Sequence, residues 1–344
     1  MSSPGGCLAR CASEPPWRVL GEKLHGARKM RSDDIIFINN NISIYINKLV
    51  DFLFERELKV SPEKSTVTLF TPDTKEANIC PQIIIKNKPV KLDKNPKLLG
   101  VKFDTMFTFS QHIKDTTKKS KSKVNVLKSL AGSSWGQDKD TLLLTYKSVC
   151  RSTLEYATPV WSTLISDSNW NRLQSVQNQA LRVATGCLQM SSTDHLHQET
   201  KVLPIREHST MLTKQYSANC LKPNHPGHKH LDQPKPHRKI KPTYLQYITE
   251  LKSKKERGLN HKQIIKEVHT ESVQKCLNAY QPNRVLQEKP PEVNKLEEKL
   301  PRNVRVELSR LRSGFSRRLN SYLNRLDKNV NNACPDCATC VITA

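Results

Sequence analysis

The chain has 344 residues, with 56 Lys and Arg against 32 Asp and Glu, and its formal net charge is +24 at pH 7. Hydrophobic residues make up 36% and aromatic residues 6%, so part of the chain is expected to lie outside a packed core. No apolar run approaches the roughly 18 residues that a membrane-spanning helix requires. The excess positive charge indicates a polyanionic partner, first of all nucleic acid, with an acidic membrane surface as the weaker alternative.

The first 30 residues predict neither a secretory signal nor a folded unit. They lack an apolar h-region. Their composition favours a disordered leader, with an organelle-targeting segment as the alternative. The ten cysteines show no disulfide framework, which suits a reducing compartment. We therefore expect an intracellular protein, nuclear or cytoplasmic, that is not secreted.

The first third of the chain is expected to combine one helix with several strands. Apolar residues at 42–53 recur at helical spacing and predict an amphipathic helix. Alternating β-branched and apolar residues at 65–71 predict a strand. The stretch 83–90 is typical of a hairpin with its turn at 87–88. Residues 97–103 predict another strand, whose glycine indicates a bulge or a close backbone approach.

The middle of the chain predicts four amphipathic helices, at 113–131, 138–149, 167–185 and 205–221. Asp138 or Asp140 suits the N-cap of the second helix, and Gly186 suits the C′ position of the third. Four aromatic residues of this region are expected in the core rather than on a base-stacking surface: Trp135, Tyr146, Tyr156 and Trp161.

The helix predicted at 113–131 carries a basic face. Its lysines are Lys114, Lys118, Lys119, Lys121, Lys123 and Lys128. Lysines on one helix can contact phosphates and release counterions without reading base sequence. A merely solubilising face is the alternative, but the large net charge favours phosphate contact.

The composition changes at Lys222. Five prolines between 222 and 242 exclude regular structure, and the lysines among them indicate a basic linker followed by weak helices. The histidines of this stretch are interpreted as solvated rather than as a metal site: His225, His228, His230 and His237.

The C-terminal segment predicts a helix and a cysteine cluster. Val304, Leu308 and Leu311 are expected to form the buried face of a helix that ends at Gly314, and a shorter helix is expected at 319–326. The cluster has the spacing of a zinc knuckle and consists of Cys334, Cys337 and Cys340. Since a structural zinc site requires four ligands, free thiols are the preferred interpretation and Zn²⁺ binding is the alternative.

Five stretches of the chain carry a family resemblance: residues 58–72, LKVSPEKSTVTLFTP; residues 96–104, PKLLGVKFD; and the stretches 129–162, 173–205 and 300–337. In this order they resemble segments from the C-terminal half of reverse transcriptases from non-LTR retrotransposons of the LINE class and the jockey type. Residues 58–72 are similar to palm motif D of that family, and residues 96–104 are similar to motif E, which forms the primer-grip hairpin. The stretches 129–162 and 173–205 are similar to the region that includes the thumb, and 300–337 is similar to the start of the terminal Cys/His module.

The resemblance implies an RNA-directed DNA polymerase with RNA and DNA as partners, no membrane partner, and two Mg²⁺ ions held by carboxylates. It makes Asp33 and Asp34 candidates for the metal-binding pair, at a turn followed by a strand, with an ordinary acidic N-cap or turn as the alternative. Lys64 is a candidate for proton delivery to pyrophosphate; otherwise it is a solvated turn lysine. Leu99 and Gly100 are candidates for the primer grip; otherwise Gly100 belongs to a bulge.

The family's motif A and fingers find no counterpart in the sequence, and two carboxylates alone would leave Mg²⁺ largely hydrated. We therefore expect a truncated reverse transcriptase that lacks independent polymerase activity and retains salt-dependent nucleic-acid binding. The alternatives are a nucleic-acid-binding module without catalysis and a non-functional translated relic.

The expected fold class is α+β, with the remnant of a palm sheet before a helical thumb. The expected domains are a leader at 1–30, a partial palm at 31–104, a helical thumb and connection at 105–221, a basic linker with weak helices at 222–290, and a C-terminal helical segment at 291–344.

Overall fold

A computed structural model of the chain describes residues 32–71, 73–132, 134–231, 244–281 and 295–332. The expected leader, most of the proline-rich linker with His237, and the cluster of Cys334, Cys337 and Cys340 lie outside the described residues. The structure is mostly helical with a few short strands, which is compatible with the α+β class. It divides into two compact units, Met1–Phe107 and Thr108–Ala344.

The described part of the first unit contains one long helix and three small sheets. Helix α1 spans Ser32–Phe54, and a 3-10 turn spans Pro62–Lys64. The strands are β1 (Thr66–Val67), β2 (Ile84–Ile85), β3 (Lys88–Pro89), β4 (Lys91–Leu92), β5 (Lys97–Leu98) and β6 (Val101–Lys102). β1 pairs with β4 in parallel, whereas β2–β3 and β5–β6 are antiparallel hairpins. The strand expected at 65–71 is therefore much shorter than predicted.

Each hairpin turns on two residues with positive φ. Lys86 (44°) and Asn87 (64°) connect β2 to β3, and Leu99 (46°) and Gly100 (87°) connect β5 to β6. Two successive left-handed residues are typical of a type I′ turn, whose twist matches that of the flanking strands. The first hairpin confirms the prediction, with its turn one residue earlier. The prediction of a single strand at 97–103 is wrong, because the second turn divides this stretch into the two strands of a hairpin.

The second unit is a helical bundle. Its helices are α2 (Ser110–Ser129), α3 (Lys139–Thr145), α4 (Ser152–Leu154), α5 (Thr158–Trp161), α6 (Asp167–Thr185), α7 (Thr193–Thr200), α8 (Ile205–Cys220), α9 (Ile248–Glu256), α10 (His261–Ala279), α11 (Arg302–Ser313) and α12 (Asn320–Leu326). A π-helical segment at Tyr146–Arg151 joins α3 to α4, and 3-10 turns lie at Pro226–His230, Tyr244–Tyr247 and Lys295–Lys299.

The four helices predicted for the middle of the chain are present, and their ends have the expected chemistry. The carboxylate of Asp138 accepts hydrogen bonds from the backbone nitrogens of Asp140 (2.9 Å) and Thr141 (3.1 Å), so Asp138 is the N-cap of α3. Gly186 ends α6 with φ +71°, a conformation that glycine adopts without steric cost.

Helix α6 lies at the centre of the bundle and packs against α2, α3, α7 and α8. Tyr146 and Trp161 are fully buried, as expected, with Leu173 of α6. Trp135 is 61% exposed and Tyr156 is 55% exposed, so the core assignment is wrong for these two. Both follow the end of a helix, in connections that run over the bundle surface.

The stretch 244–281, which composition assigns to a linker with weak helices, forms α9 and α10. They pack on α8 through a cluster of Met211, Ala218, Leu221, Ile248, Leu251, Ile264 and Val268. Asn260 and Gln263 form a capping box at the start of α10. Composition does not predict this core, because the stretch is rich in lysines. One of them, Lys254, is buried and its amine pairs with Glu267 and Glu271.

Helix α11 packs on the bundle through a different face from the predicted one. Its buried residues are Arg302, Arg305, Val306, Ser309 and Ser313. Val304 is exposed, and Leu308 and Leu311 are only half-buried. The prediction of an apolar buried face is therefore wrong, because this helix docks through hydrogen-bonded arginine and serine side chains.

No helix within the described ranges combines the length and the apolar character needed to cross a membrane.

Candidate nucleic-acid interface

The predicted lysines of α2 do not share one face. All except Lys123 are exposed. Lys123 is half-buried, and its Nζ donates to the Val149 carbonyl oxygen at 3.2 Å and to the Thr153 hydroxyl. Because an α-helix turns about 100° per residue, Lys119 lies on the same flank as Lys123. The remaining lysines form one stripe along α2: Lys114, Lys118, Lys121 and Lys128.

This stripe borders a surface groove between α2 and α6. Lys114, Lys118 and Lys121 line one depression together with Arg172. Lys121 also lines an adjoining depression with Arg182 and with Ser175, Gln179 and Val183 of α6. Residue numbers rise together on the two helices, so α2 and α6 run in parallel along the groove. We call Lys114, Lys118, Lys121, Arg172 and Arg182 the basic groove.

The basic groove forms because α2 and α6 each bury an apolar stripe that lies next to their polar residues. α2 buries Ile113, Val124 and Leu127 against the bundle, and α6 buries Leu173 and Val176. The polar residues beside these apolar stripes then meet across the seam between the two helices. Asn169 ties their starts together through a 3.3 Å hydrogen bond to the Ser110 hydroxyl. The spacing of the cations is therefore set by packed helices rather than by a loop.

The electrostatics of the basic groove favour an anion. No acidic side chain lines either depression, and none of the five cations forms an ion pair with a described carboxylate. Arg182 donates to the Ser191 carbonyl oxygen at 3.1 Å, but its Nε is buried without a hydrogen-bond partner among the described residues. Burial lowers the pKa of the Arg182 guanidinium, as expected for a cation that lacks a counterion.

Sequence analysis missed the two arginines of α6. Arg172 and Arg182 are ten residues apart and lie on the same side as Ser175 and Gln179, at spacings of three, seven and ten. This polar stripe is a usable signal for an exposed helix face. The pattern does not predict that α2, rather than another helix, packs beside this face of α6.

The predicted sites of the first unit are placed as follows. Lys64 is exposed in the 3-10 turn, next to Glu63, whose pKa a hydrogen bond from Lys88 lowers to about 2. Leu99 is 83% exposed at the tip of the β5–β6 hairpin beside Gly100. Nothing in this geometry tests their roles in catalysis or in a primer grip.

The acidic pair lies on a helix. Asp33 and Asp34 belong to the first turn of α1, although their resemblance to the family's metal-binding pair predicts a turn followed by a strand. That expectation for the backbone is wrong, since the apolar residues after the pair continue helically into 42–53.

No group of three or more His, Cys, Asp or Glu side chains suited to a metal ion occurs within the described parts of the chain. The cysteine cluster lies beyond residue 332 and outside those parts. Binding of Mg²⁺ or Zn²⁺ stays a prediction that this geometry does not test.

Comparison with known proteins adds two relatives, both from Drosophila melanogaster. One is a probable RNA-directed DNA polymerase from transposon X-element, 29% identical over 140 residues, which are 38% of this chain and 15% of the relative. The other is a probable RNA-directed DNA polymerase from transposon BS, 28% identical over 180 residues, or 50% of this chain and 19% of the relative. The chain thus spans less than a fifth of each relative. No protein-family model and no solved structure matches it.

Proposed function

We propose that this chain corresponds to the part of a non-LTR retrotransposon reverse transcriptase that begins within the palm and continues through the thumb, and that it binds nucleic acid through the basic groove. The sequence similarity to transposon RNA-directed DNA polymerases supports the origin. The observation that carries the binding proposal is the row of five cations between α2 and α6, in two depressions that no acidic side chain lines.

The dimensions of the basic groove suit a phosphate backbone. From Arg172 to Arg182 the helix rises about 15 Å, and B-form DNA presents one phosphate per about 3.4 Å of axis on each strand. The groove is therefore long enough for about four phosphates. Since each neutralised phosphate releases counterions, the logarithm of the affinity should fall with the logarithm of salt concentration with a slope of about −3 to −4.

A salt titration with matched variants tests this proposal. Binding of a labelled oligonucleotide is followed by fluorescence anisotropy for the wild type, for Lys118→Gln with Lys121→Gln, and for Lys119→Gln with Lys147→Gln. Both double variants lose the same charge, but only the first removes cations of the basic groove; Lys119 and Lys147 are exposed elsewhere. We expect the first to reduce the steepness of the salt slope by about 1.5 and the second to bind like the wild type.

Equal losses in the two double variants would mean that net charge alone drives binding. Wild-type affinity that does not change between low and moderate salt would remove the proposal altogether, because phosphate contacts cannot be independent of counterions.

We also propose that these 344 residues do not polymerise nucleotides by themselves. Asp33 and Asp34 stand on a helix rather than at a turn before a strand, and two carboxylates bind Mg²⁺ weakly. Primer extension on poly(rA)/oligo(dT) with Mg²⁺ is the measurement. Robust synthesis by the wild type that is lost in the double variant Asp33→Asn with Asp34→Asn would overturn this proposal. That result would assign the pair to catalysis.

Lys64, Leu99 and Gly100 enter the proposal as residues that act in the longer enzyme. Lys64 would assist proton delivery to pyrophosphate, and the hairpin tip of Leu99 and Gly100 would contact the primer. Their exposure supports access to a nucleic acid. The test is primer extension by a longer enzyme that includes these residues, in which Lys64→Ala should slow nucleotide addition more than Lys59→Ala, a substitution of an exposed lysine outside the turn.

A further inference from the structure

A second feature of the helical unit points to a nucleic-acid base rather than to a phosphate. Trp135 follows α2 and is 61% exposed. A methyl group on Gly132 would lie 2.3 Å from Nε1 and 2.6 Å from Cε2 of Trp135, so the indole ring lies directly against the Gly132 backbone. The Gly132 side of the ring is therefore covered, while most of the residue is open to solvent.

The loop that carries Trp135 is held by hydrogen bonds. The Gly132 nitrogen donates to the Trp135 carbonyl oxygen at 3.1 Å, and the Gln137 nitrogen donates to the Leu130 carbonyl oxygen at 3.0 Å. Arg302 clamps the loop from α11, since its Nε donates to the Gly132 oxygen at 2.7 Å and its Nη1 to the Gln137 oxygen at 3.0 Å. A loop fixed in this way loses little conformational entropy when a ligand binds to its exposed aromatic ring.

The same arginine places this loop at one end of the basic groove. Nη2 of Arg302 donates to the Val183 carbonyl oxygen at 2.9 Å, and Val183 lines the groove beside Lys121 and Arg182. Lys128 continues the α2 stripe toward the loop, two helical turns beyond Lys121. Lys128 and the loop that carries Trp135 thus lie at the same end of α2 and α6 as Lys121 and Arg182.

We propose that this end of the basic groove binds a single-stranded segment of nucleic acid, with one base stacked on Trp135 and the preceding phosphates on Lys121 and Arg182. The inference rests on the proposed function and narrows its substrate class. A base within a duplex already has neighbours on both faces, whereas an unpaired base has a free face for an aromatic side chain. DNA and RNA share this chemistry.

The test compares strands that differ only in their bases. Anisotropy is measured for short oligo(dT), oligo(rU) and an abasic strand of equal length, with the wild type, Trp135→Leu and Trp135→Phe. Stacking is worth about 1–3 kcal/mol per base, so Trp135→Leu should weaken binding of base-bearing strands by about 5- to 150-fold and leave the abasic strand unchanged. Trp135→Phe should retain most of the affinity.

Two further variants sharpen the result. Tyr156→Leu removes another exposed aromatic residue outside the basic groove and should bind every strand like the wild type. Gly132→Ala keeps the indole but adds the methyl group that displaces it, and should lose affinity for base-bearing strands only. An effect with oligo(dT) alone would identify single-stranded DNA as the ligand, and an effect with oligo(rU) alone would identify RNA.

The inference is overturned if Trp135→Leu binds base-bearing strands like the wild type, or if it weakens the abasic strand as much as the others. If Lys118→Gln with Lys121→Gln still weakens all strands in that case, phosphate binding by the basic groove stands and only base stacking fails. If that double variant instead binds like the wild type, the proposed function fails first and base stacking in this groove fails with it.

Discussion

At the scale of single residues, Arg302 holds helix α11 through backbone oxygens rather than through a carboxylate. Its guanidinium donates to the oxygens of Gly132, Gln137, Val183 and Ala184 at 2.7–3.2 Å. The last two belong to the final turn of α6, where carbonyl groups lack an intrahelical partner. Burial lowers the pKa of Arg302, because removing a charged guanidinium from water costs free energy. The hydrogen bonds to the four carbonyl oxygens offset this cost.

Replacing Arg302 by methionine should lower the free energy of unfolding by about 3 kcal/mol, because several buried carbonyl groups lose a charged donor at once. Urea denaturation is the measurement. Arg317→Met is the control, since Arg317 is exposed, and it should change the free energy of unfolding by less than about 0.5 kcal/mol. Equal stabilities of the two variants would contradict the role of Arg302.

Glu199 is the second residue on which the docking of α11 depends. Its carboxylate accepts hydrogen bonds from Lys139 (3.0 Å), Ser309 (2.8 Å) and Arg312 (2.9 and 3.0 Å). Burial by itself would raise the pKa of Glu199, but the positive charges of Lys139 and Arg312 outweigh it and hold the pKa below its ordinary value. The ionised form is therefore the one that stabilises the fold.

Acid should weaken this contribution. A carboxyl group with a lowered pKa stabilises fully above its unfolded value of about 4.5 and loses the contribution as pH falls through the lower folded value. Glu199→Gln should cost about 3–5 kcal/mol at neutral pH, because Lys139 loses its buried partner and Arg312 is left with Glu297 alone. In urea denaturation, the difference from the wild type should shrink below pH 4.5; a constant difference would contradict the assignment.

The matched control for Glu199 is Glu250→Gln. Glu250 pairs with Lys214 at 2.8 Å, but its side chain is 41% exposed. An exposed pair contributes at most about 1 kcal/mol, so this variant should be close to the wild type at every pH.

At the scale of elements, sequence patterns predict what local rules determine. Asp138 and Gly186 mark helix ends because capping depends on neighbouring backbone groups. The buried face of α11 could not be predicted, since Arg302 and Arg305 read as solvated charges until the carbonyl groups and Asp140 that receive them are known. The basic groove could be predicted only in part for the same reason. The lysines of α2 are recognisable from the sequence of that helix, whereas the arginines of α6 lie beside them only because the two helices pack together.

The β5–β6 hairpin yields a prediction of its own. Leu99 has φ +46° and is 83% exposed, a conformation that a branched apolar residue adopts at a cost and that asparagine tolerates. Leu99→Asn should therefore raise the free energy of unfolding by about 0.5–1 kcal/mol. Leu98→Asn is the control within strand β5, also exposed at 62%, and it should not stabilise. A loss of stability in Leu99→Asn would contradict the turn.

At the scale of the whole molecule, the two units differ in the size of their cores. Among the described residues up to Phe107, the buried hydrophobic side chains are Val50, Ile83, Ile85 and Val101. The second unit buries many more, including Tyr146, Trp161 and Leu173. Because hydrophobic stabilisation grows with the apolar area removed from water, the first unit should be the less stable of the two.

Limited proteolysis at increasing urea concentration tests this difference. Cleavage should begin within residues 32–107 at a urea concentration at which α2 to α8 still resist the protease, since cleavage follows the population of opened states. The Arg302→Met variant should reduce the resistance of the second unit and leave that of the first unchanged. Simultaneous cleavage of both units in the wild type would show that they unfold as one cooperative body.

The clamp formed by Arg302 also bears on how the protein is made. Its partner Gly132 precedes it by 170 residues in the chain, and ribosomes extend a polypeptide at roughly 5–20 residues per second. Ala184, whose carbonyl oxygen Arg302 also binds, precedes Arg302 by 118 residues, so for roughly 6–24 s the nascent chain carries α6 with its last carbonyl groups uncovered. A ribosome that stalls within this interval holds an unclosed bundle, which is a natural target for chaperones and proteases.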